Sequence, residues 1–301
     1  MSGRKRFAFA VLLLFLGWAS GLPAQAQAAR PASRTPTRSA QLRDGTFRSA
    51  ALGREVRYRI LLPAGYGQSQ ERYPALYLLH GLSGNFEDWS TRTGLVRYAQ
   101  GLRLIIVMPD AGDSWYVNWD SDPVRKYGDY IAKDLLAEID EHYRTIRAPH
   151  GRAIAGLSMG GYGAVAFALK YPQLFAFAGS FSGALTAAAD LDSTHPVYRE
   201  GLLKAFGPAG SATRTQNDVF TLLKKSPPAN LPYFYIDCGT SDSFLSANRA
   251  FAALLQAQNA AYEYHETPGG HTWSYWDERV RSLLEVLVRR PLSQHPPRQH
   301  L

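Results

Sequence analysis

The five residues Gly156-Leu157-Ser158-Met159-Gly160 constrain this chain more than any other stretch. An apolar, strand-like run, Ala153-Ile154-Ala155, leads into them, and a helix-like run from Gly163 to Lys170 follows. Strand, tight turn and helix are the context in which a Gly-x-Ser-x-Gly pattern lifts a serine hydroxyl above a strand end. The turn is sharp, so side chains two before and two after the serine would collide with neighbouring backbone; glycine has no Cβ to collide. The serine backbone then lies near the N-terminus of the next helix, where free N–H groups favour a developing negative charge. Alone, the same pattern also arises by chance in Gly/Ser-rich loops, so its meaning depends on the rest of the chain.

The chain has 301 residues, enough for one large α/β domain or two small ones, and its 46% hydrophobic content is ordinary for a protein with a real core. Residues 1–28 read as a cleaved signal peptide. Arg4-Lys5-Arg6 is the positive segment, Phe7 to Leu16 is the apolar run, and Ala24-Gln25-Ala26 and Ala26-Gln27-Ala28 both offer small residues for cleavage. The apolar run is shorter than the ~20 residues of a comfortable membrane span. The expected compartment is therefore periplasmic or extracellular, with no stable membrane span after cleavage. Residues 29–45 read as a flexible, Pro-containing linker, 46–290 as the folded domain and 291–301 as a frayed tail.

Within the domain, Thr46 to Ser49 and Arg54 to Pro63 read as strands. Val56, Tyr58 and Ile60 alternate with Arg57 and Arg59, which predicts a half-buried antiparallel edge. Ala75 to Leu79 and Leu104 to Pro109 are continuous apolar runs, as in strands covered on both faces. Ile131, Leu135, Ile139 and Tyr143 recur every four residues and predict an amphipathic helix over 127–143. Further strands are expected at 175–181, 232–237 and 261–265, with helices at 246–258 and 275–289. Buried strands alternating with helices predict a doubly wound, mostly parallel sheet.

The formal charge is +8, of which three cations lie in the leader, leaving +5. No dense basic stripe with interleaved aromatics remains, so nucleic acid is not the expected partner. The single cysteine, Cys238, allows no internal disulfide or cysteine metal cluster, and its place after an apolar strand suits a small core residue. No His-Glu-x-x-His and no phosphate-binding loop is present, so neither metal nor cofactor is implied.

A reactive serine needs a base, and the base needs an orienting acid. After Ser158 the chain offers Cys238-Gly-Thr-Ser-Asp242 just past one strand, then Pro268-Gly-Gly-His271 just past the next. Both fall in loops at the carboxyl ends of strands, where open α/β sheets keep their sites. Serine, acid, histidine is also the chain order that such a site requires. The rivals fit less well: Asp237 and His265 are strand residues, Asp277 lies by the last helix, His142 rides on the amphipathic helix, His195 sits in the long connection and His150 precedes the serine strand. A developing oxyanion needs two N–H donors. The Met159 amide is one candidate and the His80-Gly81-Leu82 loop holds the second.

Taken together, several motifs resemble the esterase D / antigen 85 group of α/β-hydrolases. They are Leu78 to Trp89, Val107 to Asp110 with Ser114-Trp115-Tyr116, Gly156 to Gly161, Phe206-Gly207, Ile236 to Asp242 and Gly270-His271. The resemblance spans roughly 47–287 and implies a single α/β-hydrolase domain with a mostly parallel central sheet flanked by helices. It further implies Ser158, Asp242 and His271 as triad, and Leu82 and Met159 as oxyanion amides. The group includes feruloyl esterases, mycolyltransferases and S-formylglutathione hydrolases.

Four functions follow as expectations. The first is a secreted serine carboxylesterase acting on short-chain or aromatic acyl esters, small or linked to polysaccharide. The second is an acyltransferase moving the acyl group to a sugar hydroxyl. The third is an S-formylglutathione hydrolase-like thioesterase, which export disfavours. The last is a non-catalytic binding module. Trp115, Tyr116 and Trp119 are candidate wall residues for the substrate, with ordinary packing as the competing role. Oligomeric state is not legible in the sequence.

Overall fold

The computed structural model describes residues 39–189, 196–290 and Leu292. The signal peptide, the first ten residues of the linker, His195 and nearly all of the tail lie outside the described residues. Eight strands form one sheet: β1 (Gln41–Ser49), β2 (Arg54–Leu62), β3 (Ala75–Leu79), β4 (Ile105–Pro109), β5 (Arg152–Leu157), β6 (Phe177–Phe181), β7 (Tyr233–Gly239) and β8 (Tyr262–Thr267). Their spatial order is β1-β2-β4-β3-β5-β6-β7-β8. β1 with β2 and β2 with β4 are antiparallel; every later pair is parallel.

Residues 41–45, expected to end the linker, belong to β1, where Gln41 pairs with Leu62. β2 is also not the edge. It pairs with β1 along its whole length and with β4 over Tyr58 to Leu61. The alternation was a sound guide to burial, since Val56, Tyr58 and Ile60 are all buried. Alternation reports which face of a strand is covered, however, not whether another strand lies alongside it.

Among the described residues the α-helices are α1 (Asp88–Arg92), α2 (Leu95–Tyr98), α3 (Tyr127–Asp129), α4 (Leu136–His142), α5 (Met159–Lys170), α6 (Pro196–Phe206), α7 (Ala212–Asn217), α8 (Val219–Lys225), α9 (Leu245–Ala257) and α10 (Trp273–Arg289). One face of the sheet packs on α4, α5, α8 and α9, the other on α2 and α10. Parallel strands covered on both faces explain why β3, β4, β5, β6 and β7 are buried throughout. The helix expected over 127–143 opens with α3, widens into a π-helical stretch, Tyr130–Leu135, and continues as α4. A strict four-residue spacing drifts around a helix of about 3.6 residues per turn, and a wider π turn takes up part of that drift. Ile131, Leu135 and Ile139 thereby all stay buried, while Tyr143 has already left the helix as its extended cap. The described part of the long connection after β6 holds α6, α7 and α8, and Tyr198 and Leu202 of α6 line the same cavity as Ser158.

Candidate active site

Ser158 sits between β5 and α5 with φ 53° and ψ −116°, a conformation that costs a non-glycine residue ~1–3 kcal/mol. The surroundings enforce it. Its N–H donates to the Phe181 carbonyl at 2.9 Å, and its own carbonyl accepts from Tyr162 and Ala184. A Cβ on Gly156 would lie 2.5 Å from the Gly160 carbonyl carbon, and one on Gly160 would lie 2.6 Å from the Leu79 and His80 carbonyl oxygens. The two glycines let β3, the turn and α5 approach at backbone distance. Met159 is the first residue of α5, so its amide is one of the N–H groups that the helix leaves unpaired.

His271 comes from the loop between β8 and α10. Its Nε2 lies 3.0 Å from Ser158 Oγ and its Nδ1 3.0 Å from Asp242 Oδ2. Asp242 follows β7, with its side chain wholly buried while a third of His271 is exposed. Burial pushes the Asp242 carboxyl up, but hydrogen bonds from His271, the Phe244 N–H and Ser182 outweigh it and hold the group below the usual carboxylate range. The Phe244 N–H donates to Oδ1 at 2.9 Å. The ring of His271 meets Trp276 edge-on at 4.8 Å and Phe244 at 5.2 Å. The chain Ser158–His271–Asp242 can thus move a proton off the serine hydroxyl and stabilise the resulting imidazolium.

The loop after β3 closes the other side. His80 is buried, with Nδ1 2.7 Å from the Gly81 carbonyl and Nε2 accepting the Ala111 N–H at 3.1 Å. Nε2 is therefore the acceptor and Nδ1 carries the proton; burial keeps the ring neutral by lowering its pKa. His80 so fixes the entry to Gly81-Leu82, whose residues line a cavity of about 500 Å³. Ser158, His271, Trp115, Phe244, Trp273 and Trp276 line the same cavity.

Of the three expected aromatics, Trp115 alone lines the cavity. Tyr116 is buried beneath it, donating its hydroxyl to the His80 carbonyl at 2.9 Å and packing so closely on Gly163 that a Cβ there would meet its ring at 2.8 Å. Trp119 donates its indole N–H to the Ser114 carbonyl and stacks under Arg125 at 4.5 Å. Both residues brace loops and do not form the wall. The sequence reading missed Phe244, Trp273 and Trp276. Their signal was position: each stands within five residues of Asp242 or His271. The rival acids and bases are engaged elsewhere. Asp237 is held by Tyr235, Tyr275 and Arg279, Asp277 accepts from Gly94 N–H and the Tyr98 hydroxyl, and His265 lies beside Glu263. Among the described residues no cluster of three or more His, Cys, Asp or Glu side chains could hold a metal ion.

The sheet order, the strained serine turn and the acid and base on the last two strands define an α/β-hydrolase fold. A family model described as "Putative esterase" matches residues 49–284, and the chain belongs to that family. It is 32% identical over 274 residues to Esterase Rv1288 of Mycobacterium tuberculosis, a match covering 81% of this chain and 58% of that protein. The chain thus spans little more than half the length of that relative. It is 27% identical to the Diacylglycerol acyltransferase/mycolyltransferase Ag85A of Mycobacterium tuberculosis, covering 80% of this chain and 79% of the relative. Among solved structures, the fluorophosphonate-binding serine hydrolase FphF of Staphylococcus aureus superposes with a TM-score of 0.75 at 26% identity, over 83% of this chain and 99% of that one.

Proposed function

We propose that the protein is an exported serine carboxylesterase that cleaves short-chain or aromatic acyl esters through an acyl-enzyme. The observation that carries this reading is the pair of 3.0 Å contacts joining Ser158, His271 and Asp242 at the wall of the cavity. In the proposed cycle His271 Nε2 takes the proton from Ser158 Oγ as the oxygen attacks the ester carbonyl. The amides of Leu82 and Met159 hold the tetrahedral oxyanion, and Asp242 fixes the His271 tautomer and balances its charge. The imidazolium returns the proton to the leaving alcohol. Water then loses a proton to His271 as it attacks the acyl carbonyl, and the imidazolium returns that proton to Ser158 Oγ as the acid leaves. Trp115 and Trp273 shape the site for small or planar acyl groups. The positive and apolar segments of residues 1–28 support export.

Likeness to a mycolyltransferase supports a second reading, in which a sugar hydroxyl replaces water as the acceptor. One experiment addresses both. Wild type and Ser158→Ala are assayed on p-nitrophenyl esters of increasing acyl length and on methyl ferulate, with and without a sugar acceptor, and each is treated with a fluorophosphonate probe. Turnover and labelling in the wild type, both lost in Ser158→Ala by at least about a thousandfold, are the expected outcome. Acyl groups captured by the sugar in preference to water would move the assignment to a transferase. Equal background rates and no labelling in either protein would sink the enzyme reading and favour a binding module.

A further inference from the structure

Asn248 sits in the first turn of α9, wholly buried, and has no part in the proposed cycle. Its side-chain amide donates to two carbonyls, those of Gly183 and Phe244, at 2.9 Å each. A carbonyl oxygen only accepts, so the NH2 end of the amide must face both. The oxygen end makes no hydrogen bond among the described residues. A buried amide that leaves its acceptor idle is a poor stabiliser, because the unpaired oxygen costs about what a bond returns. The two donations are what this side chain contributes, and both go to segments of the site.

A trans peptide is flat, with its C=O and N–H on opposite sides. The Gly183 carbonyl and the Ala184 N–H belong to one such unit. Asn248 grips the carbonyl, and from the far side the Ala184 N–H donates to the Ser158 carbonyl at 3.1 Å. That carbonyl in turn shares a peptide unit with the Met159 N–H, the proposed oxyanion donor. Three donors therefore stand in series: the Asn248 amide, the Ala184 N–H and the Met159 N–H, each joined to the next through one peptide plane. The other bond on the Ser158 carbonyl comes from Tyr162 of α5, at 3.0 Å. Ala184 thus supplies the hold from outside that helix. Hydrogen bonds in series polarise one another, so a donor on the Gly183 carbonyl strengthens the donors further along.

We infer that Asn248 is a positioning residue for the oxyanion site, aiming and polarising the Met159 N–H through the 183–184 and 158–159 peptide units. The inference rests on the serine esterase reading above. The second donation, to the Phe244 carbonyl, matters less. The backbone N–H of Asn248 donates to the same oxygen at 3.0 Å, so that carbonyl keeps a partner without the side chain. The Gly183 carbonyl has no such second donor among the described residues. Phe244 holds Asp242 through its N–H and His271 through its ring. Loss of the Asn248 amide therefore falls on the oxyanion side and spares the acid and base.

The test uses the full chain, as wild type, Ser158→Ala, Asn248→Leu and Asn248→Asp, with p-nitrophenyl acetate as substrate and phenylboronic acid as a tetrahedral mimic. Turnover by wild type and its loss in Ser158→Ala establish the esterase reading; inactive wild type would overturn that reading, and this inference with it. Given an active wild type, Asn248→Leu is expected to lower kcat about five- to thirtyfold, less than the roughly hundred- to thousandfold cost of losing an oxyanion donor outright. KM should change less than about twofold, because a hold on the oxyanion counts only in the transition state. The inhibition constant of the boronic acid should rise by a similar factor, and the acidic limb of kcat/KM should stay in place. Asn248→Asp keeps the shape and, protonated by burial, one donor, so it should fall between wild type and Asn248→Leu. A folded Asn248→Leu enzyme with wild-type kcat and boronate affinity would overturn the inference, as would a shifted acidic limb with boronate affinity unchanged. If Asn248→Leu does not fold, Asn248→Asp carries the same test. Failure of both to fold would show that Asn248 holds the core and not the site, and would overturn the inference too.

Discussion

β5 and β8 each deliver one half of the proposed reacting pair, yet they are built in opposite ways. β5 lies inside the sheet between β3 and β6, and all six of its residues are buried. β8 is one of the two edge strands, paired on one side to β7, and all six of its residues are partly exposed. Ser158 is accordingly held by backbone: a strained φ, carbonyls of neighbouring strands and two glycines at contact distance. His271 is held by side chains: Asp242 on one nitrogen, with Phe244 and Trp276 against its ring. A nucleophile that must meet an oxyanion site gains from a rigid frame, whereas a base that shuttles a proton between three partners needs a ring that is aimed but not locked.

The two halves should fail differently. Asp242→Asn removes the acid from the side-chain-held half and leaves the backbone intact. It is expected to cut kcat about ten-thousandfold, because the amide favours the wrong imidazole tautomer, with only a small change in thermal midpoint. Gly160→Ala attacks the other half. Its Cβ would press on two carbonyl oxygens of the β3 end at 2.6 Å, neither the tip of a flexible side chain. Such overpacking costs about 1–3 kcal/mol, so the thermal midpoint and kcat are expected to fall together. Calorimetry beside kinetics on both variants checks the contrast. A Gly160→Ala protein with wild-type stability and activity would show that the turn is not held by backbone contact.

The same contrast explains what could be read in the sequence. The backbone-held half was legible, because a glycine at a close approach leaves a mark at a fixed spacing: Gly156 and Gly160 frame Ser158. Asp242 and His271 were legible through chain order and through their place just after apolar runs. The side chains that aim them were not. Phe244 and Trp276 stand close to Asp242 and His271 in the chain, but no spacing marks them, and they meet the His271 ring only when the loop after β7 and α10 come together. Trp115, Tyr116 and Trp119 look alike along the chain, and only the folded loop decides that Trp115 lines the cavity while Tyr116 and Trp119 bond to the His80 and Ser114 carbonyls. β1 was half missed because Gln41, Arg43 and Asp44 face solvent on an edge, where no apolar alternation is needed.

The edge strand supplies the mildest test. On β8, Glu266 accepts from Nε and Nη2 of Arg249, at 2.7 and 2.6 Å, and from the Tyr264 hydroxyl at 2.7 Å. Hydrogen bonds from Arg249 and Tyr264 pull its carboxyl down to about 2. A lowered carboxylate adds stability that is present above its ordinary pKa of about 4.3 and lost as pH falls toward 2. The group sits against solvent, so water and salt screen most of that contribution. Glu266→Gln is therefore expected to leave kcat unchanged and to lower the thermal midpoint at pH 7 by no more than about 2 °C, an effect that shrinks further in 0.5 M salt and vanishes as the pH is brought down toward 2. A loss as large as that of Gly160→Ala would mean that the edge is framed as tightly as the centre. The position of His271 would then have to be explained by the rigidity of β8, and not by the three side chains around its ring.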